Sequence, residues 1–283
     1  MTYLITGAGG MLGQDLQQAL AGRPATALGR SDLDVTDEDA VLDAVAGHSV
    51  VINCAAYTRV DDAETDEDAA FAINATGAGN LARAAAIHGA TLVQLSTDYV
   101  FDGSATTPYA EDALRHPMSA YGRTKAEGER LALELNPGAT YILRTAWLYG
   151  AHGPNFAKTM VRLAREHGTA NVVSDQLGQP TWTVDVAHQL LTMLDNELPA
   201  GVYHATSSGE ASWFDFAREV FSLSGFDPDS VKPISSGQFL RPAPRPVFSV
   251  LGHEQWKRFG LDPIRDWRIA LAEAADQGVL ENT

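Results

Sequence analysis

Tyr121 and Lys125 stand four residues apart in the stretch Tyr121-Gly122-Arg123-Thr124-Lys125. On a helix that spacing places both side chains on one face. An ammonium beside a phenol favours the phenolate, so it lowers the tyrosine pKa from its ordinary value of roughly 10. Two unit charges ~4 Å apart at an effective dielectric of ~20 interact by about 4 kcal/mol, enough to bring a phenol within reach of acid–base work near neutral pH. The chain has eight Tyr and only four Lys among 283 residues, so chance pairing at this spacing is uncommon. A plain surface helix face is the alternative reading of the same pair.

A helix carrying that pair needs a scaffold, and the N-terminal half reads as βαβ units. Tyr3-Leu4-Ile5-Thr6 is a short apolar run, followed by Gly7-Ala8-Gly9-Gly10-Met11-Leu12-Gly13 and then by the helical stretch from Gln14 to Leu20. Strand, glycine turn and helix in that order predict a dinucleotide site, with the pyrophosphate against the helix N-terminus. Ala25 to Gly29 predicts a second strand. At its end Arg30 and Ser31 stand where an arginine accommodates a ribose 2′-phosphate, which leans toward NADPH; a solvated loop arginine is the alternative. Asp34 and Val35 are placed to flank the adenine. Asp37 reads as the cap of a helix at about 37–46.

Val50 to Ala56 predicts a buried parallel strand ending in Ala55-Ala56-Tyr57-Thr58, where small residues let a cofactor pass. Cys54 reads as a small core residue. The acidic run 61–68 reads as the solvated start of a helix, and a helix at about 69–88 carries Asn74. Thr91 to Ser96 predicts the next buried strand. Ligands lie outside the carboxyl ends of strands in an open α/β sheet, which puts Ser96, Thr97 and Asp98 near a cofactor's reactive ring.

Composition narrows the classes of function. The formal net charge is −16, which argues against a general affinity for nucleic acid or an anionic membrane. One cysteine excludes an internal disulfide framework and fits a reducing compartment. The start has no cationic and apolar leader, and no apolar run approaches ~20 residues, so the expectation is a cytoplasmic protein. The eight His show no metal-ligand spacing, and no metal is expected.

Gly7-x-x-Gly10-x-x-Gly13, Asn74, the hydroxyls at a strand end and Tyr121-x-x-x-Lys125 together resemble the extended short-chain dehydrogenase/reductase superfamily. Finer matches run along nearly the whole chain: Ser96 to Phe101, Arg144 to Tyr149, Asn155 to Met160, Asp175-Gln176-x-Gly178-x-Pro180-Thr181, and Arg245-Pro246. These resemble the dTDP-4-dehydrorhamnose reductase family within that superfamily. The resemblance implies an α/β fold, a Rossmann-type doubly wound parallel sheet with a smaller, discontinuous C-terminal substrate-binding lobe. It implies reduction of the 4-keto group of a dTDP-4-keto-6-deoxysugar by NADPH, with NADH as the alternative donor.

The roles follow by position. Tyr121 is expected to give a proton to the carbonyl oxygen, Thr97 to hydrogen-bond that oxygen, and Lys125 to hold the nicotinamide ribose and keep the Tyr121 pKa low. Asn74 is expected to orient the lysine through water. Cofactor residues carried over are Gly7, Gly10, Met11, Leu12, Arg30, Asp34, Val35, Ala55, Ala56, Tyr57, Tyr121 and Lys125.

Beyond Gly150 the pattern changes. Helices are predicted at 155–167, 184–196, 213–224 and 264–277, and a short strand at 171–174. Residues 1–150 read as the NADP-binding part, with 176–205 returning to it, and 151–283 as mainly the substrate lobe. Trp147 resembles a sugar-contacting tryptophan, with a plain core role as the alternative. Asp98 is placed for sugar hydroxyls, and Asn155 and Phe156 for the thymine, unless Phe156 only anchors its helix. Arg241 or Arg245 suits the diphosphate, with a structural arginine between prolines as the alternative for either. Monomer and homodimer are both open.

Overall fold

The structure, a computed structural model, describes residues 1–281. The four apolar residues at the start form β1 (Tyr3–Thr6), buried along its whole length. The glycine turn leads into α1 (Met11–Ala19), and the chain returns as β2 (Ala25–Leu28). α2 (Glu38–Val45) starts at Asp37, whose carboxylate accepts from the Ala40 N–H, so Asp37 is a helix cap. The apolar run 50–53 is β3 (Val50–Asn53).

The helix expected over 69–88 is built in three parts. α3 (Glu67–Phe71) passes into a π-helical turn, Ala72–Thr76, and then into α4 (Gly77–His88). A π turn frees backbone groups and shifts the side-chain phase, and such turns concentrate at functional sites. Here it carries Asn74. β4 (Thr91–Thr97), α5 (Ala120–Leu135) and β5 (Thr140–Thr145) complete this half.

The second half begins with β6 (Leu148–Tyr149), α6 (Phe156–His167), β7 (Ala170–Val173), β8 (Leu177–Gly178) and β9 (Thr181–Trp182). α7 (Thr183–Asp195), β10 (Gly201–His204), β11 (Ala211–Ser212) and α8 (Trp213–Leu223) follow. β12 (Val231–Ile234), α9 (Glu254–Arg258) and α10 (Trp267–Asp276) end the described chain. The helices expected from periodicity are all present within a few residues of their predicted ends.

Six strands make one parallel sheet in the order β2-β1-β3-β4-β5-β10. β1, β3 and β4 are buried because helices cover both faces, while edge strand β2 is largely exposed. This is the doubly wound architecture the sequence led one to expect. The strand order reverses between β1 and β3, and the crevice at such a reversal is where α/β sheets bind ligands.

The core divides around this sheet. Leu16 of α1 and Leu20 just after it pack with Val186, Leu190 and Leu194 of α7 and with Tyr203 of β10, so residues 183–204 complete the sheet's flank. A separate cluster holds Met160, Val161, Trp182, Phe216, Val220, Trp267 and Leu271. Three two-stranded sheets, β6 with β9, β7 with β12 and β8 with β11, brace the second half. Among the described residues no helix is long and apolar enough to cross a membrane, and no group of His, Cys, Asp and Glu is arranged to hold a metal ion.

Candidate active site

The crevice at the strand-order reversal is floored by the glycine turn. Gly7 has φ +65°, and a Cβ there would lie 2.5 Å from the Ala55 nitrogen, so only glycine lets the turns after β1 and β3 approach this closely. Gly10 is the N-cap of α1 and supplies no side chain to the first-turn N–H groups. Those orphan donors at the positive end of the helix suit a pyrophosphate. Met11 is partly exposed at that end, whereas the Leu12 side chain is buried in the core, leaving its backbone as the part that faces a ligand. The residues therefore fit a dinucleotide.

At the adenosine end Arg30 is exposed and close enough to Asp34 to lower the latter's pKa, although the Thr36 hydrogen bonds lower it more. Asp34 Oδ1 accepts from both the backbone and the hydroxyl of Thr36. Val35 is packed inward. Its side chain is buried under α4, and a Cβ on Gly77 would meet Val35 Cγ2 at 2.6 Å. Ala55 and Ala56 are partly exposed at the end of β3, and Tyr57 is buried.

Asn74 is tied to its protein neighbours. Its Oδ1 accepts from the Tyr57 N–H at 2.8 Å, and its Nδ2 donates to the Tyr57 carbonyl at 3.2 Å and to Thr124 Oγ1 at 3.0 Å. The side chain ties the turn after β3 to α5, using both Nδ2 protons and one of the two Oδ1 lone pairs. α5 sits so close to the π turn that a Cβ on Gly128 would lie 2.1 Å from the Asn74 carbonyl oxygen.

α5 starts at Ser119, whose hydroxyl accepts from the Gly122 N–H, and Glu64 accepts from the Ala120 N–H at 2.8 Å. Tyr121 and Lys125 then face the ends of β3 and β4, but they are not coupled as their spacing implied. Lys125 is buried and donates from Nζ to the Leu95 carbonyl at 2.6 Å. Burial pushes its pKa down to about 8 against smaller upward pulls from Glu129 and Cys54. The Tyr121 phenol is pushed up to about 12, by burial first; Thr97 pulls it down and the Asp98 charge raises it. The expected low tyrosine pKa is thus absent from the cofactor-free protein. A buried ammonium with a carbonyl at hand satisfies itself there rather than at a neutral phenol.

Thr97 and Asp98 end β4. Thr97 Oγ1 donates to Asp98 Oδ1 at 2.9 Å. Asp98 is buried, its pKa pushed up to about 6 by burial, with Ser249 and Thr97 opposing. Asp98 is therefore packed beside Thr97 with 2% of its surface exposed.

The expected substrate residues line up on the second half with altered roles. Trp147 has φ +46°, a strained value for a bulky residue, and its ring stacks on Trp213 with centroids 3.5 Å apart at 8°. Phe156 packs on Trp213 and Phe216, so it anchors α6. Asn155 caps α6, accepting from the Lys158 N–H and donating to the Gly150 carbonyl at 2.9 Å, which uses the side chain expected at the thymine. Arg245 Nη2 pairs with Asp61 Oδ1 at 2.9 Å, Arg241 Nη1 approaches Asp61 Oδ2 at 3.5 Å, and the Ala243 N–H donates to the same carboxylate. Both arginines expected at the diphosphate are thereby gathered on one anion. The acidic run is likewise less solvated than expected, with Asp61, Glu64 and Glu67 all engaged.

One group escaped sequence reasoning. Glu129, four residues past Lys125, accepts from Ser96 Oγ at 2.5 Å and from Arg144 Nε and Nη2 at 2.9 and 2.8 Å. Its signal was the continuation of the Tyr121/Lys125 helix face by one further turn.

Fold and site together define a dinucleotide-dependent oxidoreductase of the short-chain type. Residues 1–279 match the RmlD substrate binding domain family, and the chain belongs to that family. It is 51% identical over 280 residues to a dTDP-4-dehydrorhamnose reductase of Streptomyces griseus, an alignment covering 96% of this chain and 92% of that relative. It is 52% identical over 281 residues to a probable dTDP-4,6-dihydroxy-2-methyloxan-3-one 4-ketoreductase of Streptomyces antibioticus, covering 97% and 94%. A dTDP-4-dehydrorhamnose reductase from Bacillus anthracis str. Ames, crystallised in complex with NADP, has the same fold with a TM-score of 0.94 at 37% identity, over 98% of this chain and 100% of that one.

Proposed function

We propose that the protein reduces the 4-keto group of dTDP-4-dehydro-6-deoxy-L-mannose to the hydroxyl of dTDP-L-rhamnose, using NADPH, with NADH as the alternative donor. The observation that carries this reading is the convergence of Thr97, Tyr121 and Lys125 at the end of β4, beside a glycine turn built for a pyrophosphate. The bound cofactor supplies the hydride. Thr97 holds the carbonyl oxygen and Tyr121 delivers the proton to it, so that no free alkoxide forms. Lys125 leaves the Leu95 carbonyl for the cofactor ribose and the phenol, which turns a pair uncoupled at rest into a coupled one. Arg30 receives the adenosine 2′-phosphate, and Gly7, Gly10, Met11, Leu12, Asp34, Val35, Ala55, Ala56 and Tyr57 line the remaining path.

The sugar nucleotide lies between a nucleotide-binding part, residues 1–150 with 176–205 returning to it, and a lobe formed mainly by 151–283, of which 282 and 283 lie outside the described residues. Trp147 and Trp213 offer a rigid apolar wall for the sugar ring. Arg241 and Arg245 exchange Asp61 for the diphosphate. The protein works in the cytoplasm as a monomer or homodimer, without nucleic acid or membrane partners.

The test couples the upstream dehydratase and epimerase to this protein and follows loss of NADPH absorbance, with the product sugar identified by NMR. Absence of turnover by correctly folded protein overturns the reading. A second reading, reduction of a different dTDP-linked 4-keto-deoxysugar, is favoured by the 52% identity to the Streptomyces antibioticus ketoreductase. Parallel assays on the keto sugar before and after epimerisation separate the two. A non-catalytic NADP-binding subunit accords poorly with the presence of Thr97, Tyr121 and Lys125 together.

A further inference from the structure

β5 has a threonine at each end, and the two hydroxyls are used differently. Thr140 is buried at the start of the strand, and its Oγ1 donates to the Asn136 carbonyl at 2.9 Å. Thr145 is 7% exposed at the carboxyl end, and its Oγ1 has no hydrogen-bond partner among the described residues. Burying a hydroxyl without a partner is unfavourable, and valine has the same shape without that cost. A buried polar group of this kind calls for a partner that the chain itself does not supply.

The surroundings say which partner. Thr145 is the register partner of Thr97, so the two side chains stand on the same face of the sheet, on strands about 4.8 Å apart. Leu95 and Leu143, two residues earlier on each strand, share a core cluster with Leu12 and Leu16 of α1. By the period of two, Thr97 and Thr145 therefore lie on the α1 side, the helix whose N-terminus suits a pyrophosphate. Ser96 turns to the opposite face, where its hydroxyl meets Glu129 of α5. Sheet order then ranks the parts of the cofactor. Arg30 follows β2, the glycine turn follows β1, Ala55 follows β3, and Lys125 donates to Leu95 of β4. The dinucleotide path lays the adenosine ribose, the pyrophosphate and the nicotinamide ribose across those strands in that order. The next strand is β5, and the next part of the cofactor is the nicotinamide ring with its carboxamide. A carboxamide has two N–H donors and a carbonyl acceptor, and a hydroxyl can meet either.

We propose that the Thr145 hydroxyl binds the nicotinamide carboxamide and fixes the rotation of the ring beside Thr97. The proposal rests on the dinucleotide-dependent reduction described above and deepens it. It names the side chain that turns the hydride-bearing carbon toward the carbonyl held by Thr97, an orientation on which the rate of hydride transfer depends.

The experiment is isothermal titration of wild type, Thr145→Val and Thr145→Ser with two ligands: NADP⁺, and 2′-phospho-ADP-ribose, which lacks only the nicotinamide. Thr145→Val is expected to weaken NADP⁺ binding about three- to tenfold, the loss of one hydrogen bond, and to leave 2′-phospho-ADP-ribose unchanged. Thr145→Ser keeps the hydroxyl and is expected to restore most of the NADP⁺ affinity. Cofactor-free Thr145→Val is expected to melt at or above the wild-type temperature, since it loses no internal hydrogen bond. A Thr145→Val protein that melts lower or fails to fold shows that the hydroxyl is structural and overturns the assignment. Equal losses for the two ligands, or an unchanged NADP⁺ affinity, overturn it as well. A wild type that binds NADP⁺ but leaves the dTDP-4-keto sugar unreduced overturns the proposed substrate alone. A wild type that binds no NADP⁺ overturns both.

Discussion

Tyr121 and Lys125 show how much of a catalytic pair lies in spacing and how much in surroundings. Four residues on a helix put both groups on one face, yet the ammonium satisfies itself at Leu95 while the phenol is held neutral by burial. Tyr121→Phe is expected to lower kcat by about 10²–10⁴-fold, with NADPH affinity from fluorescence titration unchanged. Comparable activity in that variant removes Tyr121 as proton donor. Lys125 carries a second expectation. Its pKa is near 8 when folded, against 10.5 for an unperturbed lysine. Between those values the unfolded chain holds the extra proton, so stability rises with pH across that window. Below about pH 8 the buried ammonium costs on the order of 3 kcal/mol. Cofactor-free Lys125→Met is therefore expected to be more stable than wild type at pH 7, with the gap narrowing toward pH 10. Denaturant melts at the two pH values check this, and a gap that is constant or widens refutes it. The glycine turn was legible because its task is local and backbone-borne. The coupling of Tyr121 to Lys125 was not, because it depends on which carbonyl the fold brings to the ammonium.

At the scale of elements, α5 is held in place by close approach and by one buried charge group. Gly128 admits the π turn, Asn74 bridges to Thr124, and Glu129 ties α5 to β4 and β5 through Ser96 and Arg144. The Glu129 and Arg144 side chains are 1% and 3% exposed, so neither can fall back on water. Glu129→Ala is expected to cost about 3–5 kcal/mol by leaving the guanidinium buried and unpaired. Urea unfolding measures it, and a loss below 1 kcal/mol contradicts the reading. The sequence announced α5 and both flanking strands by period and apolar runs. It did not announce the π turn, since Ala72 to Thr76 reads as ordinary helix. Asn155 shows the same limit from the other side: a polar residue ahead of a helix reads equally as ligand or cap, and the structure shows the cap.

Across the whole molecule, the segment that carries Arg241 and Arg245 crosses from the second half to Asp61 in the first. Asp61 and Arg245 are 24% and 21% exposed, so the tie is partly screened and worth only about 1 kcal/mol. That is weak enough for a diphosphate to displace the carboxylate. Asp61→Ala is expected to speed limited proteolysis within residues 235–247, and dTDP is expected to restore protection in wild type and variant alike. Cleavage at an unchanged rate shows that the segment is held by other contacts. Pairing of this kind, with Ala243 182 positions away from Asp61, has no signature in a sequence window.

What the sequence determined by itself was whatever local chemistry dictates: the order of strands and helices, the dinucleotide turn, and the residue types gathered at strand ends. Those follow from hydrophobic period, from glycine's freedom at φ +65° and from helix spacing, each readable within about a dozen residues. Only the tertiary structure decided how the polar groups are spent. Burial raised Tyr121 and Asp98 and lowered Lys125, Asn74 and Asn155 were consumed as structural ties, and Asp61 gathered the arginines. Hydrogen-bond capacity is finite and desolvation depends on every neighbour, so a side chain's chemical role is settled only when the chain has closed around it.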